Sequence, residues 1–156
     1  MAGLLIIAHA PLASAFKAVG RHAFAEAGAL LEAVDVNAQM TPEEIETECR
    51  AALGRALALP GRAEVLILTD VFGATPGNVA QRLADGVRVK VVTGINVPML
   101  WRALNYAHEP LETLVARAVA GATQGVMQVT TARPQTQGQL TSPRNADDLN
   151  PNHHQQ

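Results

Sequence analysis

Thr69-Asp70-Val71-Phe72-Gly73-Ala74-Thr75-Pro76-Gly77-Asn78 is the stretch on which the fold turns, because a buried-looking strand, Ala63 to Leu68, runs into it and a helix runs out of it. Thr75 has the side chain of an N-cap, whose hydroxyl accepts from a free backbone N–H. Pro76 suits the first helical position because its missing N–H has no partner to lose there. The spacing predicts a strand, a turn over Gly73, Ala74 and Thr75, and then a helix. Unpaired N–H groups and the positive end of the dipole at such a start favour an anion, and phosphate is the natural candidate. Asp70 then needs a cationic or hydrogen-donating neighbour, since a bare carboxylate beside an anion is repulsive.

Upstream, Gly3-Leu4-Leu5-Ile6-Ile7-Ala8 is a continuous apolar run, the pattern of a parallel strand covered on both faces, and His9 follows it at once, ahead of Pro11. From Leu12, apolar residues at Phe16, Val19, Ala23, Ala27 and Leu30 mark one face of a single helix. Leu31 to Val36 reads as a second strand. Thr41-Pro42-Glu43-Glu44 is a capping box with proline at the first helical position, opening a helix that turns Ile45, Cys49, Ala52, Leu53 and Ala56 inward until Pro60-Gly61. Downstream, Val79 and Leu83 face inward on a short helix closed by Asp85-Gly86, and Val87 to Val92 is a fourth strand. Thr93-Gly94-Ile95-Asn96-Val97-Pro98 turns into a helix carrying Leu100 and Leu104. Pro110 opens another with Leu111, Leu114, Val115, Ala118 and Val119 on one face, which Gly121 and Gly125 are expected to break. Val126 to Thr131 is expected to form a last short strand. From Arg133 the chain is rich in Pro, Gln, Asn, Thr and Ser, from which no core can be built. The reading is one domain over residues 1–131 and a disordered polar tail over 132–156, with His153 and His154 a solvated pair lacking a third ligand.

Composition narrows the function classes. The 156 residues suit one domain with a real core, and 3% aromatics among 48% hydrophobic residues imply small side chains packed between helices and a sheet. A net charge of -2, without a basic run, argues against a nucleic-acid partner. The single Cys49 excludes an internal disulfide and fits a reducing compartment. The run before Ala8-His9-Ala10 is too short and lacks the basic flank of a signal peptide, and no stretch approaches the ~20 apolar residues of a membrane helix, so a cytoplasmic protein without membrane insertion is expected.

Alternating strands and helices imply a doubly wound, mostly parallel α/β sheet in the flavodoxin-like order 2-1-3-4, with ligands expected at the carboxyl ends of adjacent strands. His9 ends the first strand and Asp70 the third, so the topology brings them together. An imidazole whose Nδ1–H donates to Asp70 keeps Nε2 as an outward nucleophile, and Asp70 stabilises the charge the ring gains on attacking phosphorus. Gly73, Ala74 and Thr75 would hold the phosphoryl oxygens, and neither metal nor cofactor is demanded. Taken singly, His9 reads as well as a satisfied loop histidine and Asp70 as a turn cap; the pairing beside an anion-holding turn favours function. Asn96 and Pro98 lie on the same edge, as partner contacts or merely a helix start. Arg21 and His22 read as solvent-facing, and Trp101 as an interface or core residue.

Ile6-Ile7-Ala8-His9, then Thr69 to Asn78, then Thr93-Gly94-Ile95-Asn96-Val97-Pro98-Met99-Leu100 resemble, in order and spacing, the mannose-type enzyme IIA family of the phosphoenolpyruvate-dependent sugar phosphotransferase system. The resemblance covers residues 3–131. It implies that His9 is phosphorylated on Nε2, that Asp70 orients it and that Thr75 helps bind the phosphoryl group, with Phe72 either an exposed aromatic partner contact or a half-buried packing residue. It also implies a phosphohistidine carrier that takes its phosphoryl group from HPr and passes it to an enzyme IIB, here expected to be a separate protein. A homodimer exchanging the last strand, matched by Val126 to Thr131, is implied as well. Ala10 and Ala74 stand where the family usually has glycine, and alanine is strained by ~1–2 kcal/mol wherever φ must be positive.

Two other roles share the motifs: a regulatory phosphoprotein with no transport acceptor, and the phosphoryl-donor subunit of dihydroxyacetone kinase. A receiver domain phosphorylated on Asp70 needs Mg²⁺-binding acidic residues after the first strand, where His9-Ala10-Pro11 stands. A histidine phosphatase needs arginine before the histidine, where Ala8 stands. A nucleotide-binding module lacks its glycine-rich turn and P-loop lysine.

Overall fold

The structure, a computed structural model, describes residues 1–131. The tail expected over 132–156, with His153 and His154, lies outside the described residues. Strand β1, Ala2–His9, is buried along its whole length except His9, as its unbroken apolar run requires. It lies between β2, Glu32–Val36, and β3, Glu64–Thr69, while β4, Val89–Thr93, flanks β3. The four strands are parallel in the order β2-β1-β3-β4. The expected doubly wound topology is therefore the one observed.

Helices cover both faces. On one, α1 (Leu12–Ala23), α5 (Val97–Asn105) and α6 (Leu111–Gln124) pack against Leu4, Ile6, Leu66 and Leu68. On the other, α3 (Pro42–Ala58) and α4 (Thr75–Leu83) pack against Leu5, Ile7, Val65 and Ile67. Residues at alternate positions of β1 and β3 thus feed opposite cores, because successive side chains of a strand point to opposite faces. The capping box at α3 is formed: Thr41 Oγ1 accepts from Glu44 N at 3.2 Å, and Glu44 Oε2 accepts from Thr41 N at 2.7 Å. Ile45, Cys49, Ala52 and Ala56 are buried as expected; Leu53 is half-buried.

Four local expectations are corrected. The helix expected from Leu12 to Leu30 is two, α1 and a one-turn α2, Ala25–Ala29, separated at Phe24. The break lets Phe24 and Ala27 reach the core, and it needs Gly28, where a Cβ would lie 2.6 Å from the Gly20 backbone. Gly121 does not break α6 but lies buried within it, where a Cβ would meet Arg102 Cγ at 2.4 Å; its absence lets α5 and α6 approach. Val87, expected in β4, is exposed ahead of a strand that begins at Val89, because Asp85 Oδ1 accepts the N–H groups of Val87, Arg88 and Val89 and holds a turn there. Val126 to Thr131 forms no strand in the single chain: it leaves the body exposed, with no backbone partner along it after Val126 among the described residues. No helix of the described residues is long and apolar enough to cross a membrane.

Candidate functional site

The register of β1 against β3 sets Ile7 opposite Thr69, so His9, the last residue of β1, and Asp70, the first residue after β3, meet at the same carboxyl edge. The two meet. His9 Nδ1 is 2.6 Å from Asp70 Oδ2, and the same oxygen accepts the His9 backbone N–H at 3.0 Å. Asp70 Oδ1 accepts the Val71 N–H at 2.9 Å. Burial would raise the Asp70 pKa, but the donated hydrogen bonds from His9 N–H, the His9 ring and Val71 N–H outweigh it and hold the carboxyl below its ordinary value. The ionised acceptor therefore takes the ring proton at Nδ1 and leaves Nε2 as the lone-pair nitrogen of the neutral ring. With 49% of the His9 side chain exposed against 12% for Asp70, the ring faces outward from a largely covered anchor.

The turn after Asp70 differs in one detail from the expected one. Gly73 takes a φ of +83°, which glycine adopts without strain, but Thr75 is not the cap. Ala74 occupies the N-cap position with φ −88°, Thr75 is the first helical residue and Pro76 the second. Alanine at 74 therefore sits in ordinary extended backbone, and the strain expected of it there does not arise. The Thr75 hydroxyl caps nothing, which leaves it free to donate outward. Among the described residues no protein acceptor takes the N–H of Gly73, Ala74 or Thr75. Three donors and a hydroxyl thus stand at the positive end of α4, as an anion site requires.

The other expected contacts divide. Phe72 is 73% exposed beside Asp70. Asn96 is instead occupied within the fold: it caps α5, its Oδ1 accepting from Met99 N at 2.9 Å while its Nδ2 donates to Ala122 O at 3.2 Å. Pro98 packs against Gly125 and lines a concavity shared with Trp101, Arg102 and Tyr106 that does not include His9. Trp101 is half-exposed there, and Arg21 and His22 are exposed on α1.

Two features escaped the sequence reading. A cavity of about 370 Å³ adjoins His9 and Thr75, walled by the β2–α3 segment through Val36, Met40, Pro42 and Ile45. Only the parallel β1–β2 register, with His9 opposite Val36, brings that segment to the histidine. Thr69, wholly buried, is the one side chain among the described residues with a buried polar atom lacking a partner; it borders a smaller cavity with Phe72, Gly77 and Gln81. Nothing in the local pattern marks either.

Comparison with known proteins gives a consistent answer. Residues 3–119 match the family model of the EIIA-man type, described as PTS system fructose IIA component. The mannose/sorbose specific IIA subunit of the phosphotransferase system from Enterococcus faecalis is similar at 25% identity and a TM-score of 0.73, over 85% of this chain and 97% of that one. Phosphotransferase system component EIIA from Streptococcus agalactiae is similar at 25% identity and a TM-score of 0.65, over 82% of this chain and 97% of that one. The PTS IIA protein associated with the fucose utilization operon from Streptococcus pneumoniae, at 24% identity and a TM-score of 0.63 over 82% of this chain and 96% of that one, shares the fold. The search of curated proteins returned no match. With its sheet order, its His9–Asp70 pair and a match spanning residues 3–119, the chain belongs to the mannose/fructose IIA family of sugar phosphotransferase components, whose role is phosphoryl transfer.

Proposed function

We propose that the protein is a phosphohistidine carrier in which His9 accepts a phosphoryl group from phospho-HPr and passes it to a separate enzyme IIB for sugar uptake. The observation that carries this reading is the 2.6 Å contact between His9 Nδ1 and Asp70 Oδ2, which commits one ring nitrogen to a carboxylate and presents the other. In the accepting step Nε2 forms a bond to phosphorus as the N–P bond of the donor histidine breaks, and the electron pair of that bond returns to the donor imidazole. The His9 ring keeps its Nδ1 proton throughout. The positive charge it acquires is offset by Asp70, 2.6 Å away, while the N–H groups of Gly73, Ala74 and Thr75 and the Thr75 hydroxyl hold the phosphoryl oxygens. Transfer to the acceptor is the same exchange in reverse. No metal or cofactor has a role in it.

Phe72, exposed beside the site, is the proposed partner contact. The outer edge of β4 pairs with nothing among the described residues, and the exposed Val126, Met127 and Val129 are suited to cover that edge in a second copy. A homodimer formed this way, working in the cytoplasm, completes the reading. Incubation with phosphoenolpyruvate, enzyme I and HPr, followed by intact mass and peptide mapping in alkali, tests it. The expected result is one HPr-dependent phosphoryl group on His9, absent from His9→Ala and removable by an enzyme IIB. No incorporation where a known enzyme IIA is labelled would reject the function.

A further inference from the structure

Away from His9, the outer face of α5 carries polar groups that neither the fold nor the phosphoryl transfer uses. Met99, Leu100, Ala103 and Leu104 turn into the core, so helical spacing sends Pro98, Trp101, Arg102 and Asn105 to the opposite face. These four line a cavity of about 460 Å³, which Tyr106 and, from α6, Gln124 also line. A second concavity of about 310 Å³ shares Arg102 and Gln124 with the first and continues along α6 to Arg117. The two form one groove between the helices, and His9 lines neither.

The groove lacks a counter-charge. No acidic residue lines either concavity, and Arg102 makes no ion pair among the described residues, whereas Arg117 is held by Glu109. The side-chain amides of Asn105 and Gln124 and the Trp101 indole N–H have no hydrogen-bond partner among the described residues either. A purely apolar occupant would take water from these groups and return nothing for it. The occupant they suit is defined group by group. A guanidinium fork matches phosphate oxygens in two parallel hydrogen bonds. Carboxamides both donate and accept, as hydroxyl groups require. The face of an indole is electron-rich, and the C–H edges of a saturated ring pack against it. A hydroxylated ring that carries a phosphate meets all three demands at once.

We propose that the cavity lined by Trp101, Arg102, Asn105 and Gln124 is a binding site for a sugar phosphate. Arg102 takes the phosphate, the two amides take ring hydroxyls, and the Trp101 ring supports the sugar. The volume suits one small molecule, since ligand pockets run from about 300 to 1,000 Å³. This site is separate from His9 and the α4 turn, so it stands whether or not His9 carries a phosphoryl group. A bound molecule would join α5 to the last turn of α6, the point from which Val126 to Thr131 depart.

Trp101 is the one tryptophan in the chain, so intrinsic fluorescence reports on this cavity directly. The purified full chain is titrated with glucose 6-phosphate and fructose 6-phosphate, and separately with glucose, inorganic phosphate and AMP. The expected result is a saturable change with at least one of the sugar phosphates at a Kd below ~1 mM, at least about tenfold tighter than with the other three ligands. Arg102→Met keeps the stem that packs on Gly121 and removes the charge. It should weaken binding about tenfold or more, and Asn105→Leu several-fold, both with the parent's circular dichroism. Absence of a saturable change up to ~10 mM of either sugar phosphate would overturn the proposal. So would an equal response to inorganic phosphate, which would leave an anion site only, or tighter binding of AMP, which would make it a nucleotide site. Unchanged affinity in Arg102→Met would reject the assigned phosphate contact and the proposal with it. A fluorescence change that follows protein concentration instead of added sugar phosphate would make the groove a contact between copies, which also overturns it.

Discussion

At Asp70 both carboxylate oxygens accept N–H donors, Oδ2 from the His9 backbone and ring and Oδ1 from Val71. An amide cannot reproduce this. In Asp70→Asn, whichever way the side chain turns, its NH₂ faces one of those donors, and no negative charge remains to offset the ring during transfer. Loss of one hydrogen bond to a charged group costs ~1–3 kcal/mol, which a domain of this size tolerates, so the variant should fold. Phosphoryl transfer should slow by roughly ten- to a thousandfold, the scale of losing an orienting carboxylate. Circular dichroism and the rate from phospho-HPr check both parts; an unchanged rate would remove Asp70 from the mechanism. The same carboxyl carries a pH signature. Its folded pKa lies below its ordinary value of 3.8, so its contribution to stability is complete above that pH and is lost as pH falls through the lower folded value. Acid unfolding of Asp70→Asn should lack this component, so the two stability curves should converge below about pH 4, as the depressed pKa requires.

Among the elements, α3 depends on its first turn. Thr41→Ala removes the hydroxyl that accepts from Glu44 N and should cost about 1 kcal/mol in urea unfolding, with no change in slope. The loss is local in origin but bears on the wall of the cavity beside His9, because Pro42 and Ile45 belong to the same first turn. The α1–α2 hairpin depends on the absence of a side chain. In Gly28→Ala the new methyl would lie 2.6 Å from the carbonyl of Gly20 and the amide of Arg21, and a main chain cannot yield as a side chain tip does. Alanine's better helix propensity, worth ~1 kcal/mol, is then outweighed by overpacking of ~1–3 kcal/mol or more. A thermal melt should show a lower Tm; a rise would mean that α2 moves freely against α1. Helix periodicity from Leu12 to Leu30 gave no sign of this, since a tight reversal at Phe24 keeps the apolar spacing nearly in phase.

For the whole molecule, β2 and β4 are the two edge strands of the sheet, and the exposed Val126, Met127 and Val129 follow the last helix. If a second copy covers the β4 edge, light scattering should give a dimer for the full chain and a monomer for a chain ended at Gly125. A monomer from the full chain at micromolar concentration would reject strand exchange. The sheet order, the two helical layers and the His9–Asp70 pairing were all legible from local patterns, because β1 and β3 are unbroken apolar runs whose burial on both faces admits few topologies. Gly73 as a turn and Thr41 as a cap were legible for the same reason: each acts through backbone within a few residues of itself. The sequence by itself determined the strands, their order and the residues at their carboxyl ends. Only the tertiary structure decided that Ala74 rather than Thr75 caps α4, that Gly28 and Gly121 are contact points between helices, that Asn96 is absorbed as a cap, and that Val36, Met40 and Ile45 wall a cavity beside His9. Those outcomes depend on atoms brought together from distant positions in the chain, where packing distances of a few tenths of an ångström decide and no periodicity records them.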